Sequence, residues 1–65
     1  MEHDRRPPLT ARILIVDDTE ANVFLMDSIL RSEGFSKTWT TCDPREVKPL
    51  HEKLTFDLII LDLNM

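Results

Sequence analysis

Three aspartates carry what chemistry this chain can offer. Asp17 and Asp18 close the aliphatic run Ile13-Leu14-Ile15-Val16, and Asp62 closes Leu58-Ile59-Ile60-Leu61. Unbroken aliphatic runs read as parallel strands buried on both faces, and ligands gather outside the carboxyl ends of such strands. Three ionised carboxylates in one crevice repel each other, so either one takes up a proton or a cation occupies the site. Oxygen-only donors favour a hard cation, and Mg²⁺ keeps several waters while using one or two carboxylates. Such a metal can bind a phosphoryl oxygen and offset the charge that develops during transfer. An Asp beside it can act as the nucleophile and become an aspartyl phosphate. Each acid also has a plainer reading, Asp17 or Asp18 as a helix cap and Asp62 as a loop acid. All three at one predicted crevice favour the ligand site.

The elements that position these acids follow from the pattern around them. A first strand is expected over about 12–16, short and rich in β-branched residues. Thr19 can cap the helix that follows, and Glu20 suits its first turn. Ala21, Val23, Leu25, Met26, Ile29 and Leu30 spread over one side at helical spacing, with Asp27 and Arg31 opposite and Phe24 an exception on the polar side. Gly34, the only glycine, sits where a left-handed residue ends a helix. Residues 37–41 alternate weakly around Trp39 and are rich in threonine, which suits an edge strand.

Asp43-Pro44-Arg45-Glu46 matches an N-cap, a proline at the first helical position and a capping-box Glu. Val47, Leu50 and Leu54 give this second helix its stripe, and Pro49 weakens or kinks the turn it occupies. The third strand is expected over 58–61. With the polar strand at the edge and both crossovers right-handed, the strand order is 2-1-3. The crossovers then run in opposite directions, so the helices fall on opposite faces of the sheet. The fold class is therefore α/β, a three-layer parallel sheet. Its switch-point crevice lies between the first and third strands, where Asp17, Asp18 and Asp62 end.

Composition narrows the function. A net charge of −4 argues against nucleic acid as the main partner, since phosphate neutralisation needs clustered Lys and Arg. No apolar run approaches the roughly 20 residues that span a membrane, and the start of the chain lacks the apolar core of a secretory signal. Cys42 is the only cysteine, so there is neither an internal disulfide nor a CxxC metal spacing. These features together lead to a cytoplasmic expectation. No Gly-rich phosphate loop is present. Residues 1–10, with Arg5-Arg6 and Pro7-Pro8, read as a flexible leader, and the domain runs over 11–65. Trp39 is expected in edge-strand packing, Cys42 as a small half-buried residue with no histidine placed to activate it, and His51 as a solvated side chain. Neither His3 nor His51 is placed as a phosphodonor or metal ligand.

The runs Ile13-Leu14-Ile15-Val16-Asp17-Asp18, Gly34-Phe35 and Asp57-Leu58-Ile59-Ile60-Leu61-Asp62-Leu63-Asn64-Met65 resemble the receiver domain of two-component response regulators, over residues 13–65. The resemblance implies a flavodoxin-like fold. It implies that Asp62 accepts a phosphoryl group from a sensor histidine kinase or phosphotransfer protein. It further implies that Asp17, Asp18 and Asp62 hold Mg²⁺, with Asp18 the more direct of the adjacent pair, and that the backbone carbonyl of Asn64 completes the ligands. Receivers continue with a fourth and a fifth strand, which carry a Thr or Ser, an aromatic switch residue and a Lys. The matched segment is thus expected to be the amino-terminal half of such a domain, a signalling module rather than an enzyme. By itself it is expected to be incompetent in phosphate capture. Its natural partners would be the carboxyl-terminal half and an output domain.

The bare edge of an apolar third strand also invites self-association. Two other classes stay open. A Mg²⁺-dependent phosphohydrolase with an Asp nucleophile is disfavoured by spacing, because haloacid-dehalogenase-like enzymes carry Asp-x-Asp where this chain has adjacent Asp17-Asp18. A short interaction protein that pairs through its strand edge would have no need of Asp62.

Overall fold

The computed structural model describes residues 8–62. Strand β1, Ile13–Asp17, is its centre, and all five residues are buried. Full burial of an aliphatic side chain contributes about 1.5–3 kcal/mol, so the four apolar residues of this strand anchor the domain. The strand starts and ends one residue later than expected and takes in Asp17 itself. Strands β2 (Thr38–Thr41) and β3 (Leu58–Asp62) flank it in parallel, giving the order β2-β1-β3. Ile13 pairs with Thr38 on one side and Leu58 on the other, and the ladder to β3 ends with Asp17 opposite Asp62.

The alternation of a strand sends successive side chains to opposite faces. Ile13 and Ile15 join Ala11 and Phe35 on one face, covered by Met26, Leu30 and Ile60. Leu14 and Val16 join Phe56 on the other, covered by Trp39, Val47, Leu50, Leu54 and Ile59. Helix α1 (Glu20–Ser32) lies on the first face and α2 (Val47–Leu54) on the second, which makes the three layers expected of two right-handed crossovers that reverse direction.

The apolar stripe of α1 is wider than the sheet beneath it. Val23 is buried and Met26 and Leu30 are half-buried, but Ala21, Leu25 and Ile29 are exposed along with Phe24. Thr19 occupies the N-cap position without capping by its side chain. Its hydroxyl donates instead to Asp18 Oδ1 at 3.3 Å. The other end of α1 is as expected. Gly34 takes φ 108°, its N–H donates to the Arg31 carbonyl, and the Phe35 N–H donates to the Leu30 carbonyl. This paired closure satisfies two terminal carbonyls and brings Phe35 back onto the core.

The second crossover departs from the capping box. Asp43 accepts from the Arg45 N–H at 2.9 Å, as an N-cap does, but the chain first makes a 3₁₀ turn over Pro44–Glu46. Glu46 does not reach back to Asp43. Its carboxylate accepts from the Thr41 hydroxyl, and that hydroxyl in turn accepts from the Asp43 N–H at 3.1 Å. Pro49 is consequently the third residue of α2, where an N–H would have had no partner within the helix.

At its far end, α2 closes on Thr55 with φ 57°. His51 is exposed there, as expected, and it also takes part in the closure. Its Nδ1 accepts from the Phe56 N–H at 3.0 Å, and its ring stacks on Phe56 with centroids 6.1 Å apart. Arg12 adds a bond from Nη1 to the Leu54 carbonyl at 2.8 Å, and its own N–H donates to Asp57 Oδ2 at 2.8 Å. Among the described residues no helix is long and apolar enough to cross a membrane.

Candidate functional site: the acidic crevice

The carboxyl ends of β1 and β3 meet where the two crossovers diverge. Asp17 and Asp62 are lateral neighbours there, one from each strand. Asp17 is 1% exposed, and a buried carboxylate is costly without a donor. The Thr19 N–H supplies one to Asp17 Oδ1 at 2.9 Å. The spacing is that of an Asx turn, in which an Asp accepts from the N–H two residues on, and Asp17-Asp18-Thr19 announces it in the sequence. That signal outranks the capping role expected of Thr19, since its N–H and hydroxyl both serve the acid pair.

Asp18 and Asp62 are exposed, and Glu20 adds a further acid in the first turn of α1. The two ion pairs among the described residues, Arg31–Asp27 and Arg45–Asp43, leave these acids uncompensated. Their field reaches the end of β2. Desolvation first, and then the charges of Glu20, Asp17 and Asp18, push the Cys42 thiol above its ordinary value. Cys42 is exposed rather than half-buried because it follows the last residue of the edge strand. Its raised value keeps it a thiol, the unreactive form.

The donor chemistry fits a hard cation that keeps most of its waters, because Asp18 and Asp62 offer carboxylate oxygens to solvent and, among the described residues, no cationic side chain pairs with them. A complete protein cage does not fit. Among the described residues no three acids, histidines or cysteines lie close enough together to hold a metal ion. The tight group of three carboxylates expected from the sequence is therefore looser, with Asp17 committed to the Thr19 N–H. Asn64, whose carbonyl was expected to complete the site, lies outside the described residues, as does most of the expected leader.

A parallel sheet of order 2-1-3, with a helix on each face and acids at its switch point, defines a doubly wound α/β domain of flavodoxin-like type. The family model described as the response regulator receiver domain matches residues 13–65, and the chain belongs to that family. It is a response-regulator phosphoacceptor module of two-component phosphorelay signalling, a system in which receivers work with histidine kinases or phosphotransfer proteins. No curated protein and no solved structure matches the chain significantly.

Proposed function

We propose that Asp62 is the phosphoacceptor, and that a largely hydrated Mg²⁺ ion binds at Asp18 and Asp62, with Asp17 acting on it through bound water and the Asn64 backbone carbonyl as a further oxygen donor. The observation that carries this reading is the register that sets Asp62 beside buried Asp17 at the end of the central strand. The Asp62 carboxylate is the exposed one of that pair, so it is the one an incoming phosphoryl group can reach. Asp17, held by the Thr19 N–H, fixes the negative wall behind it. Asp18, exposed and next in sequence, is the direct metal ligand. When bound, the metal supplies positive charge against the phosphoryl oxygens. The residues of the chain orient the nucleophile and supply the metal's oxygen donors.

The module acts as a signalling switch and not as an enzyme with its own substrate, in the cytoplasm alongside a sensor kinase or phosphotransfer protein. By itself the chain is expected not to accumulate phosphate, since among the described residues no cation stands within ion-pair distance of Asp62 to hold the transferred group. The test is to treat the chain with acetyl phosphate and Mg²⁺ and weigh it, then repeat with residues 13–65 grafted into an intact receiver. The graft is expected to carry a phosphoryl adduct, to lose it in Asp62→Asn and to keep it in Glu52→Gln. An adduct that survives Asp62→Asn removes Asp62 from the role, and an adduct on the chain alone overturns its incompetence.

The outer edge of β3 supports self-association. Leu58 and Leu61 are 40% and 58% exposed on a strand whose other side is paired to β1. Sedimentation is expected to show concentration-dependent assembly that Leu61→Lys weakens. A monomer at every concentration refutes it.

A further inference from the structure

At the opposite pole of the sheet from the acids, an open recess of about 530 Å³ is lined by Arg12, Ser36, Lys37, Thr38, Trp39 and Leu54. Its charge runs against that of the whole chain, which is −4. The strand pattern explains why two cations share it. Thr38 sends its hydroxyl to Asp27 of α1, at 2.5 Å, so its neighbours Lys37 and Trp39 face the α2 side. Ile13 pairs with Thr38, and the Ile13 N–H donates to the Lys37 carbonyl at 2.9 Å, so Arg12 lies across from Lys37. Arg12 also faces α2, as its bond to the Leu54 carbonyl shows.

Like charges on neighbouring strands destabilise a sheet. Among the described residues no carboxylate forms an ion pair with either cation, and the nearby Asp57 carboxylate is engaged by the Arg12 backbone N–H. Arg12 spends Nη1 on Leu54, which fixes the guanidinium and leaves its other N–H groups unassigned. Beside these cations stands the indole of Trp39, half-buried and edge-on to Phe56 at 5.5 Å between centroids. Leu54 continues the apolar wall. Volumes of roughly 300–1,000 Å³ with apolar walls and a few convergent polar groups are typical of small-ligand sites.

We infer that this recess binds a small organic anion with a planar body, its negative group between Arg12 and Lys37 and its ring against Trp39 and Leu54. The inference is independent of the acidic crevice and goes beyond phosphoacceptor function. An aromatic carboxylate and a nucleotide share the required chemistry. Trp39 is the only tryptophan and so reports on the recess directly.

The experiment is a titration of indole emission in the 65-residue chain with benzoate, with adenosine monophosphate and with neutral benzyl alcohol. Saturable quenching by benzoate alone assigns a carboxylate ligand, and by the nucleotide alone a phosphate-bearing one. Lys37→Gln, an exposed position outside the core, is expected to weaken the responding anion about fivefold, the loss of one charge-assisted contact. Circular dichroism of the variant confirms that it is folded, and Lys37→Arg is expected to retain binding. No saturable response to either anion, an equal response to benzyl alcohol, or an unchanged titration in folded Lys37→Gln would overturn the inference.

Discussion

The two helices of this domain end in opposite ways. Helix α1 stops on Gly34, whose φ of 108° needs no side chain to hold it, and two backbone bonds close the turn. Helix α2 stops on Thr55 at φ 57°, a conformation that a β-branched residue rarely adopts. Two side chains hold it there, one from within α2 and one from far along the chain. His51 accepts from the Phe56 N–H, and Arg12, the residue before β1, donates to the Leu54 carbonyl. A helix can thus be ended by a local code or by its neighbours, and only the first leaves a mark at the terminus itself.

The sharpest way to break this comparison is Gly34→Val. A Cβ at that position would lie 3.1 Å from Leu9 Cδ1, and the left-handed backbone costs a side chain about 1–2 kcal/mol more. The expected loss is about 2 kcal/mol or more in urea unfolding. An unchanged midpoint would show that the turn does not depend on glycine. His51→Phe comes next. It keeps a ring for Phe56 but removes the acceptor, leaving a partly buried N–H unpaired at a cost of about 1–2 kcal/mol. If His51→Phe is as stable as the native chain, stacking alone closes α2.

Thr55→Gly should act in the other direction. It relieves left-handed strain at the cost of a more flexible unfolded chain, for a net gain of about 0.5 kcal/mol. A loss instead would mean that the Thr55 side chain supports the turn.

The smallest effect concerns the tie between α1 and β2. The Thr38 hydroxyl, followed by Arg31, holds the Asp27 carboxyl below its ordinary value. A depressed folded-state value means that the contribution is fully present above the unfolded value of about 3.9 and is lost as pH falls through the lower folded value. Urea midpoints compared between about pH 5 and pH 3 should therefore fall less in Asp27→Asn than in the native chain. Equal falls would show that this tie contributes nothing to the acid sensitivity.

Much of the fold was legible because its signals are local. Four consecutive aliphatics, a single glycine and an Asp-Pro pair mark a buried strand, a helix end and a helix start without reference to anything distant. The polar second strand pointed to its place at the edge, and handedness did the rest. What escaped depended on which way the folded backbone turns a side chain, even between residues close in the sequence. The capping-box spacing sends Glu46 back to Asp43, yet the strand before it places Thr41 in its reach. His51 is exposed, as its spacing predicts, but the spacing does not show that the return of the chain at Phe56 gives its Nδ1 a donor. Leu25 and Ile29 fit a buried stripe by spacing, but a sheet of three strands covers only part of that stripe.

The same division holds for the acidic crevice. Residue order alone determined that Asp17, Asp18 and Asp62 stand at the carboxyl ends of strand segments, because strand and helix periodicity is a property of the chain itself. Only the folded arrangement decided that Asp17 would be buried while Asp18 and Asp62 stay open to solvent. It also decided that a Trp and two cations would meet at the far pole. The reason is physical: burial and charge compensation are sums over neighbours, and neighbours across a sheet are fixed by register and packing rather than by proximity along the chain.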